Sequence, residues 1–277
     1  MTPKVINTDL DDTIYNELSI QVSLDGLSFC VLNTTTNTIS HYNSFPFNDV
    51  ITPYQLLDKV KRVFNSALIL QSDFKKVKVV YINELSTFVP KPLFSDKSLA
   101  DYLKFNTKVL KNDYITYDVI ANNDMVNVYV PYVNINNFVF AQYGSFEYKH
   151  FATVLVENIL ANAPSKEDPI MYVNMQASHF EIVVIKNRKL LFYNSFRHSN
   201  KEDYIYYLLF TAEQLNLNPD KFDLYFLGDV LEGDQIHDIT YKYVRNVFFG
   251  KRTNAMAFER SLQPNHEHSD YVLLNSL

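Results

Sequence analysis

The four residues YNSF stand at 42–45 and again at 193–196. A tetrapeptide recurs by chance in many chains of this length, so the flanks decide whether the chain is a duplication. Residues 18–45 slide onto 169–196 without a gap. In that frame Val22 meets Val173, Leu24 meets Met175, Phe29 meets Phe180, Val31 meets Ile182 and Ile39 meets Leu190. Apolar residues alternate along each copy, which predicts three strands. The turns fall at Asp25-Gly26 and 34–38 in the first copy, and at Gln176-Ala177 and 186–189 in the second. Turns this short make each copy an antiparallel meander.

The segments after the meanders match as well. Thr52-Pro53-Tyr54-Gln55 reads as a capping box with proline at the first helical position, and Ser199-Asn200-Lys201-Glu202 as a second box. Each opens a run of apolar residues at helical spacing. Each helix leads to a strand, 77–82 in one half and 222–227 in the other. Both halves therefore read β-β-β-α-β, an α/β class with a mixed sheet and flanking helices. We expect a first half over 1–163, interrupted by an inserted subdomain at about 84–131, and a second half over 164–277. The insertion carries a predicted helix near 97–105 and a strand pair at 114–120 and 125–132. After it come a helix at 134–143, a short strand at 144–149 and a crossing helix at 151–163.

The β-β-β-α-β order, used twice, resembles the ribonuclease H-like fold as duplicated in the actin, sugar kinase and heat-shock-70 ATPase superfamily. The passage at 134–162, with its glycine, short strand and long helix, is similar to one in actin-like pilus-assembly ATPases. More narrowly, LSIQVSLDGLSFCV (18–31), STFVPKPLF (86–94), FYNSF (192–196) and the tail Pro264-Asn265-His266 resemble bacterial domain-of-unknown-function family 3822. That resemblance implies a fold and no established activity.

The superfamily resemblance implies a nucleotide site built from two hairpin turns, each with an acid, following glycines and a small hydroxyl residue. The first turn here supplies Asp25, Gly26 and Ser28. The second, Asn174 to His179, lacks the acid and every glycine. Gly228, after a strand of the second half, stands where the superfamily has a glycine pair that holds adenosine. Asp25, Gly26, Ser28 and Gly228 are thus the candidate nucleotide-binding residues, with ATP and Mg²⁺ as the cofactors the resemblance implies. The structural alternative is simpler, because Asp-Gly is a common hairpin turn. The whole chain has only five glycines and neither a Walker pattern nor a GxGxxG, so phosphate-cradling loops are scarce. The expectation that follows is a non-catalytic actin-like module without a cofactor. An atypical ATP binder or slow ATPase is the alternative.

Other features narrow the class. The chain carries 25 basic and 31 acidic residues, net −6, which argues against a nucleic-acid partner. Two short basic runs, Lys75-Lys76-Val77-Lys78 and Lys186-Asn187-Arg188-Lys189, read as solvated edges, the second as a hairpin turn. Twenty tyrosines and 21 phenylalanines exceed what a core requires and favour a protein partner, whose identity the sequence does not give. No apolar stretch is long enough to span a membrane. The acidic N-terminal segment does not read as an export signal, and the cytoplasm is expected. The single cysteine, Cys30, reads as a small buried hydrophobe on a strand. His266-Glu267-His268 lacks a third metal ligand nearby. Asp229, Glu232 and Asp234 form an acidic loop after a second-half strand. His179 and His198 flank the second meander. Ser44 and Ser195, inside the twin YNSF segments, have none of the flanking glycines of a nucleophile elbow.

Overall fold

The computed structural model describes residues 15–47, 51–105, 107–110, 112–120, 123–252, 256–259, 262–264 and 266–277. In chain order the elements of the first half are β1 (Asn16–Val22), β2 (Gly26–Asn33), β3 (Thr38–Pro46), α1 (Pro53–Ser66), β4 (Lys76–Tyr81), β5 (Ser86–Pro90), α2 (Leu99–Leu103), β6 (Thr116–Val119), β7 (Met125–Tyr129), α3 (Val133–Tyr143), β8 (Glu147–His150) and α4 (Phe151–Asn162). They continue with β9 (Ile170–Met175), β10 (His179–Lys186), β11 (Lys189–Arg197), α5 (Lys201–Gln214), β12 (Asp223–Gly228), α6 (Gln235–Tyr243), β13 (Asn246–Phe249), β14 (Ala257–Phe258) and α7 (Tyr271–Asn275).

Two sheets share one strand order. The first runs β14-β3-β2-β1-β4-β8 and the second β11-β10-β9-β12-β13. In each, the meander is antiparallel and the strand after the helix pairs in parallel with the first strand of the meander. This is the duplicated ribonuclease H-like arrangement that the sequence predicts. The insertion adds a three-stranded sheet, β5-β7-β6, with a small core of Val89, Leu103, Val126, Val128 and Val130.

The ungapped frame needs one correction. A register irregularity follows Val31 in the first meander and Val184 in the second, which sets β2 and β10 in an offset of 153. The last pairs of the first hairpins, Val22 with Leu27 and Met175 with Phe180, give the same offset. Only β3 and β11 keep 151: Ser44 pairs with Ser28, and Ser195 with Glu181. The difference is taken up between the second and third strands. Four residues separate the pair Asn33–Thr38, but two separate Lys186–Lys189. A slip of two leaves every side chain on its own face. The apolar pattern therefore fits both frames equally well. The partner of Asp25-Gly26 is consequently Ser178-His179, not Gln176-Ala177.

Helix α1 buries Leu56, Val60, Val63 and Phe64 at the spacing of one helical face, and the Thr52 N–H donates to Gln55 Oε1 at 2.9 Å. The second cap sits one residue later than predicted. Asn200 accepts from the Asp203 N–H at 2.8 Å, and the Asp203 carboxylate accepts from the Ser199 N–H. Phe45 and Phe196 fill equivalent places on the α1 and α5 sides of their sheets. Tyr42 and Tyr193 face the other way, toward α7 and α4.

Helices α4 and α7 lie between the sheets. Val80 of β4, Val154, Leu155 and Ile159 of α4, Ile170, Val183 and Ile185 of the second sheet, and Tyr271 and Val272 form one core there. At about 1.5–3 kcal/mol per buried aliphatic side chain, an upper estimate, this shared core favours the association of the halves. The tail also returns to the first sheet: β14 pairs with β3, and Leu273 and Leu274 pack on Cys30, Leu32 and Ile39. Cys30 is fully buried, as the sequence predicts, and burial pushes its thiol pKa far up.

Candidate functional site

The hairpin β1–β2 of one half faces β9–β10 of the other. The Ser178 hydroxyl donates to Asp25 Oδ2 at 3.3 Å across the gap. That contact lies between two chambers of the cleft, of about 460 and 590 Å³, both bordered by Ser23, Asp25, Ser178 and His179. Each chamber follows the internal symmetry. The smaller has β3 of the first half and the loop after β12. The larger has β11 of the second half and the loop after β4.

Asp25, Gly26 and Ser28 come together in the smaller chamber, with Asp229 and Asp270 opposite. Gly228 is not among its lining residues. Its φ is +79°, and a Cβ there would lie 2.1 Å from the Met175 carbonyl oxygen. Gly228 lets β12 end tightly against β9, and the Asp229 N–H then donates to that same oxygen at 2.8 Å. Gly26 also has a local reason: its Cβ would stand 2.9 Å from the Phe45 carbonyl oxygen.

A phosphate site needs free turn amides. Here Ser23 Oγ accepts from the N–H groups of both Asp25 and Gly26, each at 3.0 Å. Ser28 Oγ donates to Ser44 Oγ at 2.9 Å. The chamber is acidic, and no lysine or arginine is among its described lining residues. Burial, then the neighbouring Asp270, pushes the Asp229 carboxyl above its usual range. Burial does the same to Asp270, against the pull of Tyr42, whose hydroxyl donates to Oδ2 at 2.5 Å. These residues do not fit a bare polyphosphate: its charge would meet three carboxylates and occupied amides.

In the larger chamber Glu181 stands where the first half has Ser28. It is buried and bonded to Asn174 Nδ2 at 2.8 Å, Ser195 Oγ at 3.2 Å and His179 Nε2 at 3.3 Å. Burial raises its pKa. Arg197 forks onto Glu84 at 2.6 and 3.2 Å, joining the halves at the rim. His198 Nε2 lies 3.3 Å from the Gln176 carbonyl oxygen, a structural use.

The acidic loop splits three ways. Asp229 reaches the cleft, and Asp234 caps α6 through the His237 N–H at 2.7 Å. Glu232 borders a groove beside α6 and β13. His268 is buried with Nε2 2.8 Å from the Val230 carbonyl oxygen. Among the described residues no group of three or more potential ligands could hold a metal. Ser23, Asp270 and Glu181 escaped the sequence reading. Only the corrected offset sets Glu181 at the place of Ser28, and Asp270 reaches the cleft from 228 positions beyond Tyr42.

Strand order, crossing helices and a cleft between paired hairpins define an actin-like ATPase fold. A Bacteroides thetaiotaomicron protein described as having that fold and unknown function superposes with a TM-score of 0.79 at 23% identity, over 88% of this chain and 93% of that one. A chain of the PilM–PilN type IV pilus biogenesis complex superposes with a TM-score of 0.58 at 12% identity, over 94% and 96%. At these identities the likeness shows the fold alone. Among curated proteins none matches the sequence. Within this class, the chain belongs to the family described as protein of unknown function (DUF3822), whose model matches residues 6–247. No helix among the described residues is long and apolar enough to cross a membrane.

Proposed function

We propose that this protein is a non-catalytic actin-like module that works in the cytoplasm by binding another protein. One observation carries the reading: Ser23 occupies the turn amides that a phosphate would need. The acidic lining supports it, as do exposed aromatics on the second half, among them Tyr206, Phe210, Tyr241 and Phe248. A thermal melt with millimolar ATP or ADP, with and without Mg²⁺, tests it. Ligand at a hundred times its Kd stabilises the native state by about 2.7 kcal/mol, so binding would raise the midpoint visibly. The reading predicts an unchanged midpoint; a Mg²⁺-dependent rise overturns it.

The second reading is an atypical Mg²⁺-dependent nucleotide binder. It is favoured by the meeting of Asp25, Gly26 and Ser28 at one cavity. Gly228 would then serve by shaping the β12 end. Asp25→Ala should abolish such binding and leave the melting midpoint of the free protein nearly unchanged.

A further inference from the structure

The two sheets differ at one edge. In the first, β14 lies outside β3. In the second, β11 holds the place of β3 and ends the sheet, and among the described residues no strand pairs with its outer side. The pairing on β3 shows what such an edge takes. The Ala257 N–H donates to the Asn37 carbonyl oxygen at 3.0 Å and the Glu259 N–H to that of Ile39 at 3.2 Å. Met256 and Phe258, on either side of Ala257, pack with Cys30, Leu32 and Ile39.

The same register is laid out on β11. Ile39 pairs with Leu32 and Leu190 with Ile185, each next to the bulge of its meander. Asn37 and Arg188, two residues earlier, both stand at positive φ, +52° and +59°. The carbonyls of Arg188 and Leu190 therefore repeat those of Asn37 and Ile39. Among the described residues the Leu190 backbone has no partner beyond β10, and the Arg188 carbonyl oxygen has Asn123 Nδ2 at 3.5 Å, the limit of a hydrogen bond. Ile39 is fully buried, whereas Leu190 is half-buried and Leu191 exposed. An open edge with apolar side chains is a template for another strand. A groove of about 430 Å³ runs along it, bordered by β11 from Leu190 to Ser195, by Ser86 and Phe88 of β5, and by Met125. Leu190, Tyr193, Phe88 and Met125 give it a partly buried apolar wall, continuous with the core between the sheets. Because β5 stands beside the edge, a single extended segment enters more readily than the sheet edge of a second copy. Farther along, the Ser195 N–H is met by Asn194 Oδ1 at 3.0 Å, which confines pairing to the Leu190 end.

We propose that this groove binds an extended segment of a partner polypeptide as an added strand, parallel to β11, with apolar side chains two residues apart packed beside Leu190, Tyr193, Phe88 and Met125. Backbone bonds to Arg188 and Leu190 supply affinity, and the alternate side chains supply selection. The proposal rests on the reading of the protein as an interaction module and gives that module its site.

The chain supplies its own probe: acetyl-NAMAFER-amide copies residues 254–260, around β14. Calorimetry of the full chain with this peptide should show saturable binding. N-methylation at the position of Ala257 or Glu259 should weaken it about tenfold, the upper scale of one lost hydrogen bond. N-methylation at the position of Phe258 should leave the affinity unchanged. Hydrogen exchange should show the Leu190 amide slowed by the peptide. No saturable binding, or equal affinity for all the methylated peptides, overturns the added strand. Faster exchange at Ala257 and Glu259 with Leu190 unchanged would mean that the probe displaces β14, and overturns the site. A Leu190 amide already slow in the free protein gives the edge to the chain's own residues if that protein sediments as a monomer, and to a second copy if it sediments as a dimer; either overturns the partner. Mg²⁺-nucleotide binding beside intact peptide binding removes the non-catalytic reading and leaves this groove standing, whereas failure of the peptide with no nucleotide shift removes the groove alone.

Discussion

Replacing Gly228 with alanine separates a structural glycine from a nucleotide-binding one. A non-glycine residue at φ +79° carries about 1–2 kcal/mol of backbone strain. The new Cβ would lie 2.1 Å from the Met175 oxygen and 3.0 Å from the Met175 nitrogen. Both are backbone atoms, so a side-chain rotation cannot relieve the overlap. The end of β12 must move off β9, which strains the bonds from Asp229 N–H to Met175 and from Gly228 N–H to His268, at 2.8 and 2.9 Å. Each is worth about 1 kcal/mol, so Gly228→Ala should cost about 3–4 kcal/mol. Gly144 is the control. Its φ is +73°, and nothing lies within 4 Å of a Cβ there. Gly144→Ala, at φ +73° and ψ −128°, should therefore show the backbone cost alone, about 1–3 kcal/mol. Urea unfolding of both variants measures the difference as a shift in midpoint at constant slope. If Gly228→Ala cost no more than Gly144→Ala, the argument from close approach would be wrong.

Three further outcomes are expected. Tyr42→Phe leaves the largely buried Asp270 without its hydroxyl donor and should cost about 1.5–3 kcal/mol in denaturant unfolding; no measurable loss would show that Asp270 does not depend on it. Glu181 has a folded pKa raised above the ordinary 4.5 by burial, so its contribution to stability is whole below that value and is lost as pH rises through the folded pKa. Glu181→Gln should remove this dependence, so that the stability gap between variant and parent shifts in the variant's favour as pH climbs; a gap constant from pH 4 upward contradicts it. The Arg197–Glu84 pair is exposed, and a double-mutant cycle should return below about 1 kcal/mol of coupling, fading in salt; strong, salt-insensitive coupling would make it a true clasp between halves.

The duplication was legible because strands and helices write their periods into the chain, and both halves wrote the same ones. The register was not. A two-residue slip preserves the alternation that a frame is judged by, and strand pairing distinguishes the frames, as in Ser28 with Ser44 against Glu181 with Ser195. Short elements such as β14 and α7 carry too few residues for a period, and their places depend on Cys30, Leu32 and Ile39 far back in the chain. The gathering of Asp25, Gly26 and Ser28 followed from one hairpin. The arrival of Asp229 and Asp270 opposite them is tertiary.

We infer that the cleft keeps the actin-like frame without a free phosphate cradle, because Ser23 holds the turn amides and the lining is acidic. Isothermal titration of the protein with Mg²⁺-ATP tests it most directly. No saturable heat is expected at millimolar nucleotide. Saturable binding that Asp25→Ala abolishes would contradict it, and would mean that Ser23 yields its amides to a phosphate.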